Sequence, residues 1–132
     1  MKELLGKKII SLYIGEDEHS LIFKTNEGLF GYSAVGDCCS ESWFSDITGV
    51  DALIGGTVSE VMYISMDGYN VEDGRGRQEE DDAYGIKIVT DKGMSSIVYR
   101  NSSNGYYGGY LEGIINPVIN NEMREITDDF MA

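Results

Sequence analysis

The sequence predicts a mainly β fold with a minor helical part (α+β), a small antiparallel barrel or sandwich of about seven strands with one or two short helices. Three observations carry this expectation. Short runs rich in Ile, Val, Tyr and Phe recur along the chain, and β-branched and aromatic residues suit a pleated, half-buried surface. Seventeen glycines separate those runs, whereas proline occurs once, at Pro117. That spacing is turn punctuation between strands. The length of 132 residues matches one hydrophobic core, so residues 1–132 are expected to form a single domain.

In chain order, strands are expected at residues 8–14, 20–25 and 29–34, the last two joined through Asn26-Glu27-Gly28. Glycine at the end of a tight hairpin turn supplies the positive φ that such loops need. Thr48-Gly49-Val50-Asp51 fits a capping box, with Ala52, Leu53 and Ile54 able to pack inward and Gly55-Gly56 ending the run, so one short helix is expected there. A strand follows at residues 58–66. The second hairpin joins strands at 84–90 and 95–101 through Asp91-Lys92-Gly93, and a seventh strand is expected at 107–111. The tail reads two ways. Met123, Ile126 and Phe130 stand at helical spacing, while residues 124–127 also suit a short strand.

The two hairpins echo each other. Ile22-Phe23-Lys24-Thr25-Asn26-Glu27-Gly28 matches Lys87-Ile88-Val89-Thr90-Asp91-Lys92-Gly93 at an offset of 65, with Thr, then Asn or Asp, then Gly in the same order. Each hairpin is followed by a strand ending in Tyr, a polar Gly/Ser loop and an aromatic-led apolar pair, Trp43-Phe44 in one half and Tyr110-Leu111 in the other. The offset there is 67, so two residues are inserted after the second hairpin. Two readings fit the echo, chance similarity in a Gly- and Tyr-rich chain and an internal duplication. Under duplication the two loops, at residues 36–44 and 100–110, would lie near a common axis.

Charge narrows the function. Ten Lys and Arg stand against 23 Asp and Glu, a formal charge of −13, which disfavours direct contact with nucleic-acid phosphates or an anionic membrane and favours cationic partners. The excess is concentrated at Glu16-Asp17-Glu18, at residues 67–82 with seven acids and two arginines, and at residues 118–132. Residues 67–82 have little to bury and are expected to form a mobile acidic loop. Glu72, Asp73, Glu79, Glu80, Asp81 and Asp82 are its partner-binding candidates, suited to a basic protein surface. No calcium-loop pattern of alternating Asp or Asn with a twelfth-position Glu is present, so an EF-hand is not expected.

The first eight residues carry no apolar core of a signal peptide, and no apolar run reaches the length of a membrane helix, so neither export nor membrane insertion is expected. Both cysteines are adjacent, Cys38 and Cys39, which cannot staple distant segments. A reducing cytoplasm is the expected location, that of the host cell if the protein is phage-encoded, and an oligomer is compatible with the sequence.

Catalytic chemistry finds little support. Two neighbouring cysteines and the single histidine, His19, fall short of a four-ligand zinc set, and no spacing pairs His19 with a nucleophile. No cofactor, metal or catalytic residue is expected. The loop Arg100-Asn101-Ser102-Ser103-Asn104-Gly105-Tyr106-Tyr107 combines amides, hydroxyls and aromatic rings, a mixture that can line a pocket for a planar or sugar-like ligand. If both loops converge, Asp37, Cys38, Cys39, Trp43, Arg100, Asn101, Asn104 and Tyr106 form that ligand-binding set. The glycine-rich stretch lacks the Gly-Lys-Ser/Thr of a phosphate-binding P-loop.

The run Gly36-Asp37-Cys38-Cys39-Ser40-Glu41-Ser42-Trp43-Phe44, together with Arg100-Asn101-Ser102-Ser103-Asn104-Gly105-Tyr106-Tyr107-Gly108-Gly109, resembles a family of small uncharacterised proteins of bacteriophages and bacteria. The resemblance spans most of the chain. It implies no reaction, cofactor or catalytic residue, and suggests the setting of phage accessory and counter-defence factors. The expected function is a non-enzymatic accessory protein that binds and inhibits a host protein, with a nucleic-acid-targeting defence factor as the target class (an anti-CRISPR-like role). The alternative is a small-molecule or nucleotide-signal sponge using the loops at 36–44 and 100–110.

Overall fold

In the computed structural model, residues 1–36, 40–65, 80–103 and 109–131 are described, with the backbone alone at Ser65, Glu80, Asp81 and Ser103. A 3-10 turn (Lys2–Leu4) leads into β1 (Ile9–Ile14), β2 (Ser20–Thr25), β3 (Gly28–Gly36) and β4 (Glu41–Thr48). After α1 (Val50–Leu53) come β5 (Val58–Ser65), β6 (Glu80–Thr90), β7 (Gly93–Ser103) and β8 (Gly109–Ile114), and two short strands close the tail, β9 (Arg124–Glu125) and β10 (Phe130–Met131). The described strands form two antiparallel sheets, in the orders β8-β3-β2-β1-β9 and β10-β4-β7-β6-β5. This is a small sandwich, not a closed barrel.

The core lies between the sheets. Leu12, Ile14, Leu21, Phe23 and Tyr32 from the first sheet meet Phe44, Ile47, Val61, Ile86, Ile88, Ile97 and Tyr99 from the second. Alternation is visible along β1, where Ile9, Leu12 and Ile14 are buried and Ile10 is exposed. Burying each such side chain contributes roughly 1.5–3 kcal/mol relative to leaving it in water.

The duplication is visible in register. Within β1–β2, Ile9 lies opposite Thr25, a bulge follows, and Leu12 lies opposite Phe23. Within β5–β6, Val58 lies opposite Thr90, a bulge follows at the matching place, and Val61 lies opposite Ile88. The hairpin turns repeat two side-chain bonds and differ in a third, the Thr25 hydroxyl donating to the Gly28 carbonyl and the Thr90 hydroxyl to the Ala52 carbonyl. The Thr25 hydroxyl accepts from the Glu27 amide and the Thr90 hydroxyl from the Lys92 amide, each at 3.1 Å. Asn26 Oδ1 accepts from the Lys8 amide at 3.0 Å, and Asp91 Oδ1 from the Thr57 amide at 2.8 Å. The equivalence reaches the start of the chain, since Gly6 donates to the Val58 carbonyl and Gly55 to the Ile9 carbonyl. Each half therefore bonds the other reciprocally, the mark of a two-fold relation.

The fourth strand of each half is exchanged. β4 pairs with β7 in the second sheet, and β8 pairs with β3 in the first. The duplicated unit is thus a three-strand meander plus a strand that crosses to its sister. The 65-residue offset holds along β3 and β7, so Ile97 and not Tyr99 occupies the place of Tyr32. The two extra residues lie instead in the second crossover, between Asn101 and Gly109, so Trp43-Phe44 remain equivalent to Tyr110-Leu111.

Other expectations change in detail. β4 was expected as part of a polar loop. Its register shift between Phe44 and Asp46 is a bulge that breaks the two-residue alternation by which strands are read. The expected capping box does not form, because Thr48 stays paired in β4 and its carbonyl accepts from the Ser95 hydroxyl at 2.7 Å. Gly49, at φ +69°, is the N-cap instead, and the Val50 amide donates to Asp129 Oδ1 at 3.1 Å. The tail is not helical. β9 pairs with β1 and β10 with β4, so only the strand alternative at residues 124–127 holds. β6 begins at Glu80, which places Glu80, Asp81 and Asp82 in a strand rather than in the expected acidic loop.

Candidate functional site

The first place to consider is where the two crossovers meet. Gly36 lies opposite Gly109, and Ser42 opposite Asn101, at equivalent positions of the two sheets. The Asn101 side chain donates to the Ser42 hydroxyl at 2.8 Å and to the Ser40 hydroxyl at 3.2 Å. A Cβ on Gly36 would lie 2.4 Å from the Ser40 hydroxyl, and one on Gly109 would lie 2.8 Å from the Asn101 Cβ. Two glycines therefore make room for one asparagine. The described ends of the two loops do converge.

Beside this junction, the Arg100 guanidinium lies over the Trp43 ring at 4.8 Å. The pair bridges β4 and β7, and stacking of this kind is worth more when desolvated. Trp43, Arg100 and Asn101 are 0%, 1% and 0% exposed. They are packed within the protein. Asp37, Cys38, Cys39, Asn104 and Tyr106, the remaining members of the expected ligand set, lie outside the described residues.

The acidic candidates divide similarly. Glu72, Asp73 and Glu79 lie outside the described residues, and Glu80 and Asp81 are described in backbone only. Asp82 is exposed on β6, opposite Asn101.

A second acidic site comes from pairing that the sequence did not resolve. β1 delivers the chain to Glu16, Asp17 and Glu18, while β9 places Arg124 opposite Ile14 and so brings the preceding Glu122 to the same end. Asn120 holds the approach, its side-chain oxygen accepting from the Glu122 amide at 2.9 Å. The turn before β2 is pinned by two main-chain bonds, Phe44 to the Glu18 carbonyl and Ala34 to the His19 carbonyl, both at 2.8 Å. The product is a cleft of about 440 Å³ lined by Glu16, Asp17, Ser20, Asn120 and Glu122. Glu18 and Arg124 line an adjoining cleft of about 240 Å³ with Glu16 and Glu122. Two acidic segments far apart in sequence thus share one surface. The signal available in the sequence was the strand alternative for residues 124–127.

Among the described residues, no three His, Cys, Asp or Glu side chains are grouped to hold a metal ion. Among the same residues, no helix is long and apolar enough to cross a membrane.

A family model described as a domain of unknown function (DUF7448) matches residues 2–112. That span covers β1 to β7 and most of β8, and ends before β9 and β10. The chain is also similar to an uncharacterized protein of Acanthamoeba polyphaga mimivirus, 33% identical over 97 residues that cover 70% of this chain and 73% of that protein. No solved structure matches.

Proposed function

We propose a function from this premise: the chain belongs to the DUF7448 family, whose description names no reaction and no ligand. It is a non-enzymatic, acidic viral accessory protein that binds a basic surface of a host protein and inhibits it. The single observation that carries the reading is the acidic cleft, where β1–β9 pairing gathers Glu16, Asp17, Glu18 and Glu122 on a chain of net charge −13. Carboxylates grouped on a surface complement Arg and Lys clusters and steer association with them.

A nucleic-acid-targeting defence factor is the target class that fits best, since its phosphate-binding cations are what clustered carboxylates can occupy. A setting in a virus, with phages included by the likeness of residues 36–44 and 100–109, draws support from the viral source of the similar protein. Action would then take place in the host cytoplasm. A small-molecule sponge built on Trp43 and Arg100 would need those side chains open to a ligand, and both are buried.

The test is titration of the purified protein against a candidate basic target at rising ionic strength. Affinity is expected to fall steeply with salt, and to fall further for a variant carrying Glu16→Gln, Asp17→Asn and Glu122→Gln. Binding that ignores both salt and these changes would remove the electrostatic basis of the reading.

A further inference from the structure

We propose that the outer edge of β5 is a strand-addition site for an extended basic segment of a partner protein, with a Lys or Arg of that segment entering the groove between Tyr63, Asp82, Tyr84 and Tyr99. The inference deepens the proposed function and rests on it. It begins from broken symmetry. The tail covers one edge of each sheet, β9 lying on β1 and β10 on β4. The equivalents of β1 and β4 are β5 and β8, and no described strand pairs with the outer edge of either, although Gly6 and Lys7 bond the Val58 main chain at the start of β5 and the Met1 amine bonds the Tyr63 hydroxyl.

An uncovered edge presents unpaired amides and carbonyls that accept another strand. The edge at β5 is also apolar where it counts, with Tyr63 55% and Ile64 40% exposed. Natural proteins usually protect such an edge with charge or proline. Between positions 61 and 65 the sequence Val61-Met62-Tyr63-Ile64-Ser65 has neither. β8 is a poorer acceptor, with glycine at both Gly109 and Gly113, and glycine weakens a strand.

The molecule supplies its own template for the occupant. Register equates Ile14 with Tyr63, because Ile14 lies opposite Leu21 and Tyr63 opposite Ile86. The residue of β9 opposite Ile14 is Arg124, whose guanidinium lies over the Phe130 ring at 5.1 Å. A strand added to β5 in the same manner places its corresponding side chain at Tyr63. There a cleft of about 480 Å³ opens, lined by Tyr63, Asp82, Tyr84 and Tyr99. Tyr84 and Tyr99 are stacked with centroids 4.9 Å apart, and Asp82 supplies a carboxylate at the same groove. Aromatic faces beside a carboxylate favour a cationic side chain. A second copy of this chain is disfavoured as occupant, because two chains of charge −13 repel at close approach.

The probe is a capped synthetic hexapeptide alternating lysine and valine, with a glutamate and valine peptide as control. Amide exchange of the full chain is followed by mass spectrometry with each peptide. Slowed exchange at residues 59–64 with the lysine peptide alone, and affinity about tenfold weaker for both Asp82→Asn and Asp82→Lys, is the expected result. Two variants of one exposed residue guard against a folding defect, and each is checked by thermal melting. Protection confined to the cleft around Glu16 and Glu122 would overturn strand addition at β5 while leaving the acidic-surface function standing. Absence of binding by the lysine peptide, in a preparation that still binds a basic host protein, would overturn it as well. Protection of β5 without peptide, at concentrations where the native mass doubles, would assign the edge to a second copy and also overturn it. Failure to bind any basic protein at low salt would instead sink the functional reading on which the inference rests.

Discussion

Asn101 occupies the point where the exchanged strands pass each other, and its surroundings are set by what is missing from its neighbours. Gly109 packs so closely that a methyl group there would meet the Ser42 hydroxyl at 2.6 Å and the Asn101 Cβ at 2.8 Å. Overpacking at such a contact costs about 1–3 kcal/mol. Gly109→Ala is therefore expected to lower the melting temperature, and an unchanged melt would show that the junction is looser than its distances indicate. A second residue-scale expectation concerns alkali. Burial, with the neighbouring Tyr84 and Tyr63 hydroxyls adding to it, pushes the Tyr99 hydroxyl up to about 12. An unfolded tyrosine loses its proton near pH 10, so between these values the native state keeps a proton that the unfolded state has released. Stability is complete below pH 10 and declines as pH rises through about 12. Burial raises the Tyr32 hydroxyl in the same direction. Chemical denaturation between pH 9 and pH 12 should show this fall, and Tyr99→Phe should flatten it.

At the scale of elements, the repeated hairpin makes a matched prediction. Thr25 and Thr90 each cap a turn through one side-chain oxygen at the same distance. Thr25→Val and Thr90→Val are each expected to cost about 1 kcal/mol or more in urea unfolding, with the larger loss at Thr90, whose hydroxyl also donates to the buried Ala52 carbonyl at 2.7 Å while that of Thr25 donates to Gly28 within its own turn at 2.9 Å. Equal losses would show that the bond to Ala52 adds nothing. The same hairpins explain what the sequence made legible. Thr, Asn or Asp, and Gly have defined tasks in a tight turn, so the echo at residues 25–28 and 90–93 was readable, and β2 was placed with its observed ends. β4 was hidden because its bulge disturbs alternation just where Trp43 and Phe44 announce buried aromatic residues. The exchange of β4 and β8 was hidden for another reason. Which sheet a strand joins depends on partners far away in sequence, and no local spacing records it. β9 and β10 are two residues each, too short for any periodicity to show.

For the whole molecule, the duplicated sandwich and the tail have separate roles. Ile126 and Phe130 are buried in the core, and β9 and β10 close one edge of each sheet. Deleting residues 115–132 is expected to lower the melting temperature and to raise light scattering, as the edges of β1 and β4 become available for pairing. The tail also completes the candidate site, since Glu122 comes from it and Glu16, Asp17 and Glu18 from the loop after β1. All three acidic segments were evident from composition, whereas the meeting of two of them at one cleft depended on the β1–β9 pairing. The most direct measurement is native mass spectrometry of the protein purified gently from its host, at low and at raised ionic strength. The account predicts an added mass of protein size at low salt that is lost at raised salt, and lost at low salt when Glu16, Asp17 and Glu122 are neutralised. An added mass of only a few hundred daltons, or a protein partner retained through both treatments, would contradict it.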